Sequence, residues 1–175
     1  MAPGLRRLAL TAHVTVSVGW IGCVVAYLAL GVAAVTGADR TTRAAWTAMD
    51  LIGWYVVVPL ALASLLSGLL MALGTRWGLF RHYWVLFSLV LTLVSTAVLL
   101  LHMPSVSVMA ERAQQVQGAG LDELGGDLAH PAVGLLVLLV VQVLNVYKPK
   151  GMTRYGCRRK EAEGEERRLQ VAVSP

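Results

Sequence analysis

Charged residues are scarce in this chain: Asp, Glu, Lys and Arg make up 14% of its 175 residues, against about 25% in a typical soluble domain. That deficit argues against a fully solvated globule. Cysteine is scarcer still, with Cys23 inside an apolar run and Cys157 near the C-terminal end. The two cannot meet, so a disulfide framework is excluded. The sequence carries ten acidic residues, none deep within a long apolar run, which removes the buried acidic relay that many ion and proton carriers use. No stretch alternates apolar and polar residues with period two, which excludes a membrane β-barrel. Nor is there an inverted repeat beyond the count of apolar runs, so the pattern of a secondary transporter is missing.

Apolar residues fill the place of the missing charge. They make up 57% of the chain and fall in long blocks rather than at core spacing. A membrane-crossing helix needs about 20 consecutive apolar residues, and four segments qualify: residues 8–35, 47–73, 83–102 and 131–147. Lipid cannot satisfy open backbone groups, so segments of this kind must be helical even where valine is abundant. The first follows Arg6 and Arg7 and so invites a signal-peptide reading, but it is far longer than the roughly 7 to 15 residues of a cleavable apolar region. Gly22-Cys23 resembles a lipoprotein cleavage site, except that Trp20 stands where a small aliphatic residue is wanted. The chain is therefore read as all-α: one domain over residues 1–150, a four-transmembrane-helix up-down-up-down bundle, and a cytoplasmic tail over 151–175 that is basic and then mixed in charge.

Orientation follows from the cations. Arg6 and Arg7, Arg76 and Arg81, and the tail residues from Lys148 to Arg168 lie on one side; only Arg40, Arg43 and Arg112 lie on the other. The positive-inside rule then places both termini in the cytoplasm. The excess of arginine over lysine, with abundant Ala, Val, Leu and Gly, points to a GC-rich bacterial genome and hence to a bacterial plasma membrane. The long loop over 103–130 repeats Val106, Met109, Ala113 and Val116, then Leu121, Leu124 and Leu128, at helical spacing, which predicts two short amphipathic turns on the outer rim. The tail between residues 148 and 160 rests on anionic lipid, at about 1 kcal/mol per cation, and the last fifteen residues read as disordered or a frayed helix. With net charge +5 and its cations beside membrane segments, the chain has the bilayer as its partner rather than nucleic acid.

Polar side chains within the segments are where function should show. His13, with Ser17 and Trp20 on its helical face, reaches a depth similar to Gln142 in the fourth segment, with Asn145 nearer the surface. The set His13, Ser17, Gln142 and Asn145 is a candidate intramembrane polar cluster; plain interhelical hydrogen bonding, averaging about 0.6 kcal/mol per bond, is the simpler account. His102 ends the third segment and His130 precedes Pro131 at the start of the fourth, at one membrane level. With Asp50, Asp127, Met103 and Met109 near them in sequence, they form a candidate site for zinc or copper. Thr47 to Asp50 resembles a capping box at the outer start of the second segment, and Pro59 should kink that helix and free the Tyr55 carbonyl. Two stripes read as packing: Thr15, Gly19, Gly22 and Ala26 in the first segment, and Ser88, Thr92, Ser95 and Thr96 in the third. Ser64, Ser67 and Gly68 read the same way. Trp46, Trp54, Tyr55, Trp77, Tyr83, Trp84 and Tyr147 read as an interfacial aromatic belt.

Four features over residues 8 to about 150, namely His13-x6-Trp20-x-Gly22, Gly53-Trp54 with Pro59, Trp77-Gly78-Leu79-Phe80-Arg81-His82-Tyr83-Trp84, and His102-Met103, resemble an uncharacterised bacterial family of predicted four-span integral membrane proteins. The first-segment pattern is also distantly similar to the copper-resistance D domain and the HemJ-type membrane protoporphyrinogen oxidase. That resemblance implies haem b with His13 as an axial ligand. The sequence departs from the oxidases at Ser88, which stands where they carry a lysine, and serine is no ordinary haem ligand. Three functions follow as expectations: an accessory or structural membrane protein acting through a homo-oligomer or a membrane-protein partner, a haem-binding redox protein using His13, and a carrier of metal or a small solute using His102 and His130.

Overall fold

The computed structural model describes residues 2–74, 79–116, 119–122 and 124–173; Arg76, Trp77 and Gly78 of the sequence reading lie outside them. Among these residues every regular element is helical: α1 (Pro3–Thr36), α2 (Asp39–Ile52), a π-helical turn (Gly53–Val57), α3 (Val58–Gly74), α4 (Tyr83–Gln115), the single turn α5 (Ala119–Asp122), α6 (Ala129–Tyr147) and α7 (Arg154–Val173). Four helical stretches are long and apolar enough to cross a membrane, with mean hydropathies of 2.0 to 2.5. At most 28% of each apolar window is buried inside the protein. So much outward apolar surface calls for a lipid surrounding.

Three of the four stretches overshoot the hydrocarbon. At 1.5 Å per residue, α1, the continuous rod Asp39–Gly74, and α4 are each roughly 50 Å long, against about 30 Å of bilayer core. α6, with 19 residues, only just matches it. Here the structure corrects two boundaries. The second helix begins at Asp39 rather than near residue 47, and the third runs on to Gln115 in place of the first of the two outer turns. The reason is mutual packing: α2 buries Thr42, Ala45, Trp46 and Met49, and the extension of α4 buries Met103, Val106, Ala110 and Ala113. Both sets follow helical spacing, and they join in one core. Pro104, inside α4, forfeits one backbone bond at a usual cost of about 3 kcal/mol, which this shared core offsets.

Polar contacts lock the same pair. Arg43 donates to the carbonyls of Ala113 and Val116 at the end of α4, and Gln114 donates to Thr47 Oγ1 at 2.8 Å. Thr47 and Asp50 are therefore mid-helix rather than a cap: the Thr47 hydroxyl donates to the Arg43 carbonyl, and Asp50 accepts from Ser107 at 2.6 Å. Pro59 has no amide hydrogen for Tyr55, and the ladder widens just before it, so that Val58 N–H reaches Gly53 five residues back. A π-turn absorbs the defect.

Contacts among the membrane helices run around a ring, α1 to α3, α3 to α4, α4 to α6, and α6 back to α1. Trp46 and Trp84 are buried at 3% and 9% exposure, so they belong to the interior and not to the aromatic belt. Trp54, Tyr55, Tyr83 and Tyr147 are exposed. In the first small-residue stripe only Gly19 approaches a neighbour, Leu60; Thr15, Gly22 and Ala26 face outward. The tail is helical from Arg154 to Val173, a stretch whose last part the sequence reads as disordered or a frayed helix. Its start pairs with the segment before α4, with Thr153 N–H on Arg81 O at 3.0 Å and Gly156 against the Arg81 backbone. Arg81 then meets Glu163 at 3.0 Å and, with Arg159, holds that carboxyl below the ordinary range.

The connection from α5 to α6 is pinned by glycine. Gly125 turns at φ +57, a conformation that disfavours side chains, and Gly126 lies directly on the Gly31 backbone of α1. A Cβ on Gly31 would stand 2.6 Å from the carbonyl oxygen of Asp127, whereas one on Gly22 would meet nothing within 4 Å. Gly31→Ala is therefore expected to destabilise the protein by about 1–3 kcal/mol, the usual cost of overpacking, and Gly22→Ala to leave it unchanged. Denaturant titration in mild detergent checks the pair; equal stabilities would mean the backbones do not touch.

Candidate functional site

Two polar centres sit at opposite ends of the helical ring. The first is built by three separate elements. His102 projects from α4, His130 from the first turn of α6, where Pro131 is tolerated because no helical bond needs its amide, and Asp127 from the glycine-pinned connection. Asp127 Oδ2 accepts from His102 Nε2 at 2.6 Å and Oδ1 from His130 Nδ1 at 3.2 Å. The two imidazole rings stack at 3.7 Å with an 18° tilt. One ligand atom from each of the three residues lies within 4.8 Å of the others. The Asp127 side chain is 8% exposed and His130 is 54% exposed, so a buried carboxylate anchors the group and an open imidazole faces its entrance.

Beneath the triad lies a cavity of about 380 Å³ that Tyr27 and Met103 also line. Tyr27 is buried at 7%, its hydroxyl has no hydrogen-bond partner among the described residues, and it lies within electrostatic reach of Asp127 and Asp50. An orphaned buried hydroxyl is costly. Asp50 is not in the group, being engaged by Ser107, which also accepts from Trp54 Nε1 at 3.0 Å.

The second centre surrounds His13. His13, Ser17, Gln142 and Asn145 all line one cavity of about 530 Å³, but the hydrogen bonds of His13 and Ser17 go to α3. His13 Nδ1 is 2.9 Å from Ser67 Oγ, and Ser17 Oγ is 2.8 Å from Ser64 Oγ. Asn145 donates to the Val141 carbonyl of its own helix. Ser67 Oγ also reaches the carbonyls of Ala63 at 2.6 Å and Ser64 at 3.2 Å; a hydroxyl that donates there accepts from His13 Nδ1–H, which leaves the lone pair on Nε2.

That lone pair is the single imidazole nitrogen available to a haem. Across the cavity α4 presents Ser88, and Met71 rises from α3 one turn beyond Ser67, the wall to which His13 is already bonded. No strong ligand of the lining faces His13 from opposite, so the residues do not fit a bis-ligated haem.

The sequence reading joined His13 to the fourth segment by depth and took Ser64 and Ser67 for packing residues, not for the partners of His13 and Ser17. The signal was present: Ser64 and Ser67 repeat the near-one-turn spacing of His13 and Ser17. Tyr27 was missed, though a tyrosine well inside a span has a hydroxyl to satisfy. No family model, curated protein or solved structure matches this chain, so its chemistry rests on these two centres. Nitrogen-15 spectra of the imidazoles should show His13 in its Nδ1–H form, and Ser67→Ala should abolish that preference while costing about 0.6 kcal/mol, the average for a bond between membrane helices. A dominant Nε2–H form would reverse the assigned donor.

Proposed function

We propose that this is a multi-pass protein of a bacterial plasma membrane, an up-down-up-down bundle with both termini in the cytoplasm, which holds a divalent transition metal at its outer face. The observation that carries the reading is the convergence of His102, Asp127 and His130. Two imidazoles and a carboxylate with a further position open form a donor set that zinc takes readily, and copper(II) competes for nitrogen and oxygen donors of this type. Asp127 contributes the negative charge, His102 the inner nitrogen, and His130 the nitrogen nearest solvent. On binding, each ring gives up the proton it now donates to Asp127 or shifts it to its other nitrogen, so affinity falls as the medium is acidified. The rest of the bundle is a scaffold that holds three elements in register, which keeps the accessory role within the reading.

The orientation rests on the crowding of arginine and lysine at Arg6, Arg7, Arg81 and the tail. Reporter fusions at either terminus should be active only in their cytosolic forms; an exported tail would move the metal site to the inner face. Purified protein should retain zinc at one ion per chain, and Asp127→Ala or His102→Ala should weaken binding by more than roughly a hundredfold, the upper range for outer-shell partners. His13→Ala should leave it unchanged. Calorimetry with zinc after chelation measures this. Retention of zinc by both ligand variants would remove the reading.

A further inference from the structure

Four helices, α1, α3, α4 and α6, contribute to the wall of the cavity around His13. It exists because the inward positions of this half of the ring are small. Ser17, Ser64, Gly68, Ala72, Ser88 and Thr92 face it, and such residues cannot fill the centre. Three features of the lining point to what fills it. Arg6, Arg7 and Lys148 stand on the lining, with no carboxylate among the described lining residues. Ser88 stands on the far wall, 7% exposed, with a hydroxyl that has no partner among the described residues. Leu10, Val14, Leu65, Leu89 and Val141 supply apolar wall, and the volume of about 530 Å³ falls in the range of sites for drug-sized molecules, far larger than an inorganic anion needs.

We propose that this cavity binds an anionic amphiphile, with a carboxylate or phosphate head on Arg6, Arg7 and Lys148 and a single apolar chain running inward toward Trp20. The polarity gradient sets its direction. Arg6 and Arg7 lie at the start of α1 and Lys148 just past the end of α6, so the cations cluster at one mouth. Trp20 and Leu138 border both this cavity and the one beneath the histidines, so they close the inner end. The site is independent of the proposed metal centre, and neither stands or falls with the other.

Trp20 and Trp84 both line the cavity, which supplies a readout. Brominated stearate added to the purified full chain in mild detergent should quench their fluorescence saturably, a component lost in Trp20→Phe with Trp84→Phe. R6Q/R7Q should weaken that binding roughly thirtyfold, the sum of about 1 kcal/mol for each surface cation. Ser88→Leu, which narrows the cavity from the far wall, should weaken it further while helix content stays as in wild type. Displacement by lysophosphatidic acid supports the site with a phosphate head. Quenching that only rises linearly, or that survives both variants, overturns the proposal. So does equal binding of a neutral brominated monoacylglycerol, equal displacement by inorganic phosphate, or a Soret band showing that the purified protein carries haem in its place.

Discussion

Lipid tails are as apolar as leucine, so burying leucine between membrane helices gains almost nothing, and association rests on close packing and hydrogen bonds. Everything in the membrane-spanning ring answers to that constraint. α1 and α3 meet through Gly19 against Leu60, His13 against Gly68 and the two bonds to Ser64 and Ser67. The leucines and valines of these helices mostly face outward. The small polar residues that permit the approach also leave the centre of one half unfilled. Close packing around the ring and a void inside it are one choice of side chains seen twice.

Where the helices leave the hydrocarbon, the driving force changes. α2 and the far half of α4 are amphipathic in the manner of a soluble helix pair, and Met49, Met103 and Val106 are buried to 1% exposure or less. There the hydrophobic effect operates, worth about 25 cal/mol for each Å² of apolar surface removed from water, and it carries helix α4 through Pro104. That pair fixes the end of α4 bearing His102. The Gly31 and Gly126 backbones then bring Asp127 in from the side, and α6 adds His130. Three elements converge because two different forces position them.

The four spans were legible because length and hydropathy alone identify a crossing helix. Their outer ends were not. Arg40, Arg43 and Thr47 read as loop and cap because a lipid-based criterion sees only polarity there, whereas α2 is stabilised by a partner helix that no local pattern reveals. At the sites, depth along a helix could be counted from sequence, so His13, Ser17, Gln142 and Asn145 were placed at similar levels and all line one cavity. Which neighbour each side chain meets depends on the rotation of helices about their axes, and α3 took the bonds that depth had given to α6. His102 and His130 were readable as a pair at one level; the stacking of their rings and the orphaned hydroxyl of Tyr27 depend on packing across four elements.

The arrangement of the two centres bears on transport. An ion released from the histidine end toward the interior enters a cavity whose wall is chiefly Val and Leu, with Tyr27 and Ser95 its main remaining polar residues, and then meets Trp20 and Leu138, buried at 3% and 6%. Past them it approaches Arg6, Arg7 and Lys148. A charged side chain at the middle of a membrane helix costs about 2.5–3.5 kcal/mol even on the most lenient scale, and a divalent ion stripped of water costs more. The apolar septum opposes entry, and like charge opposes exit. On the two readings proposed above, the Asp127 end favours a cation and the end with Arg6, Arg7 and Lys148 an anion, an arrangement that opposes the passage of one ion from one end to the other.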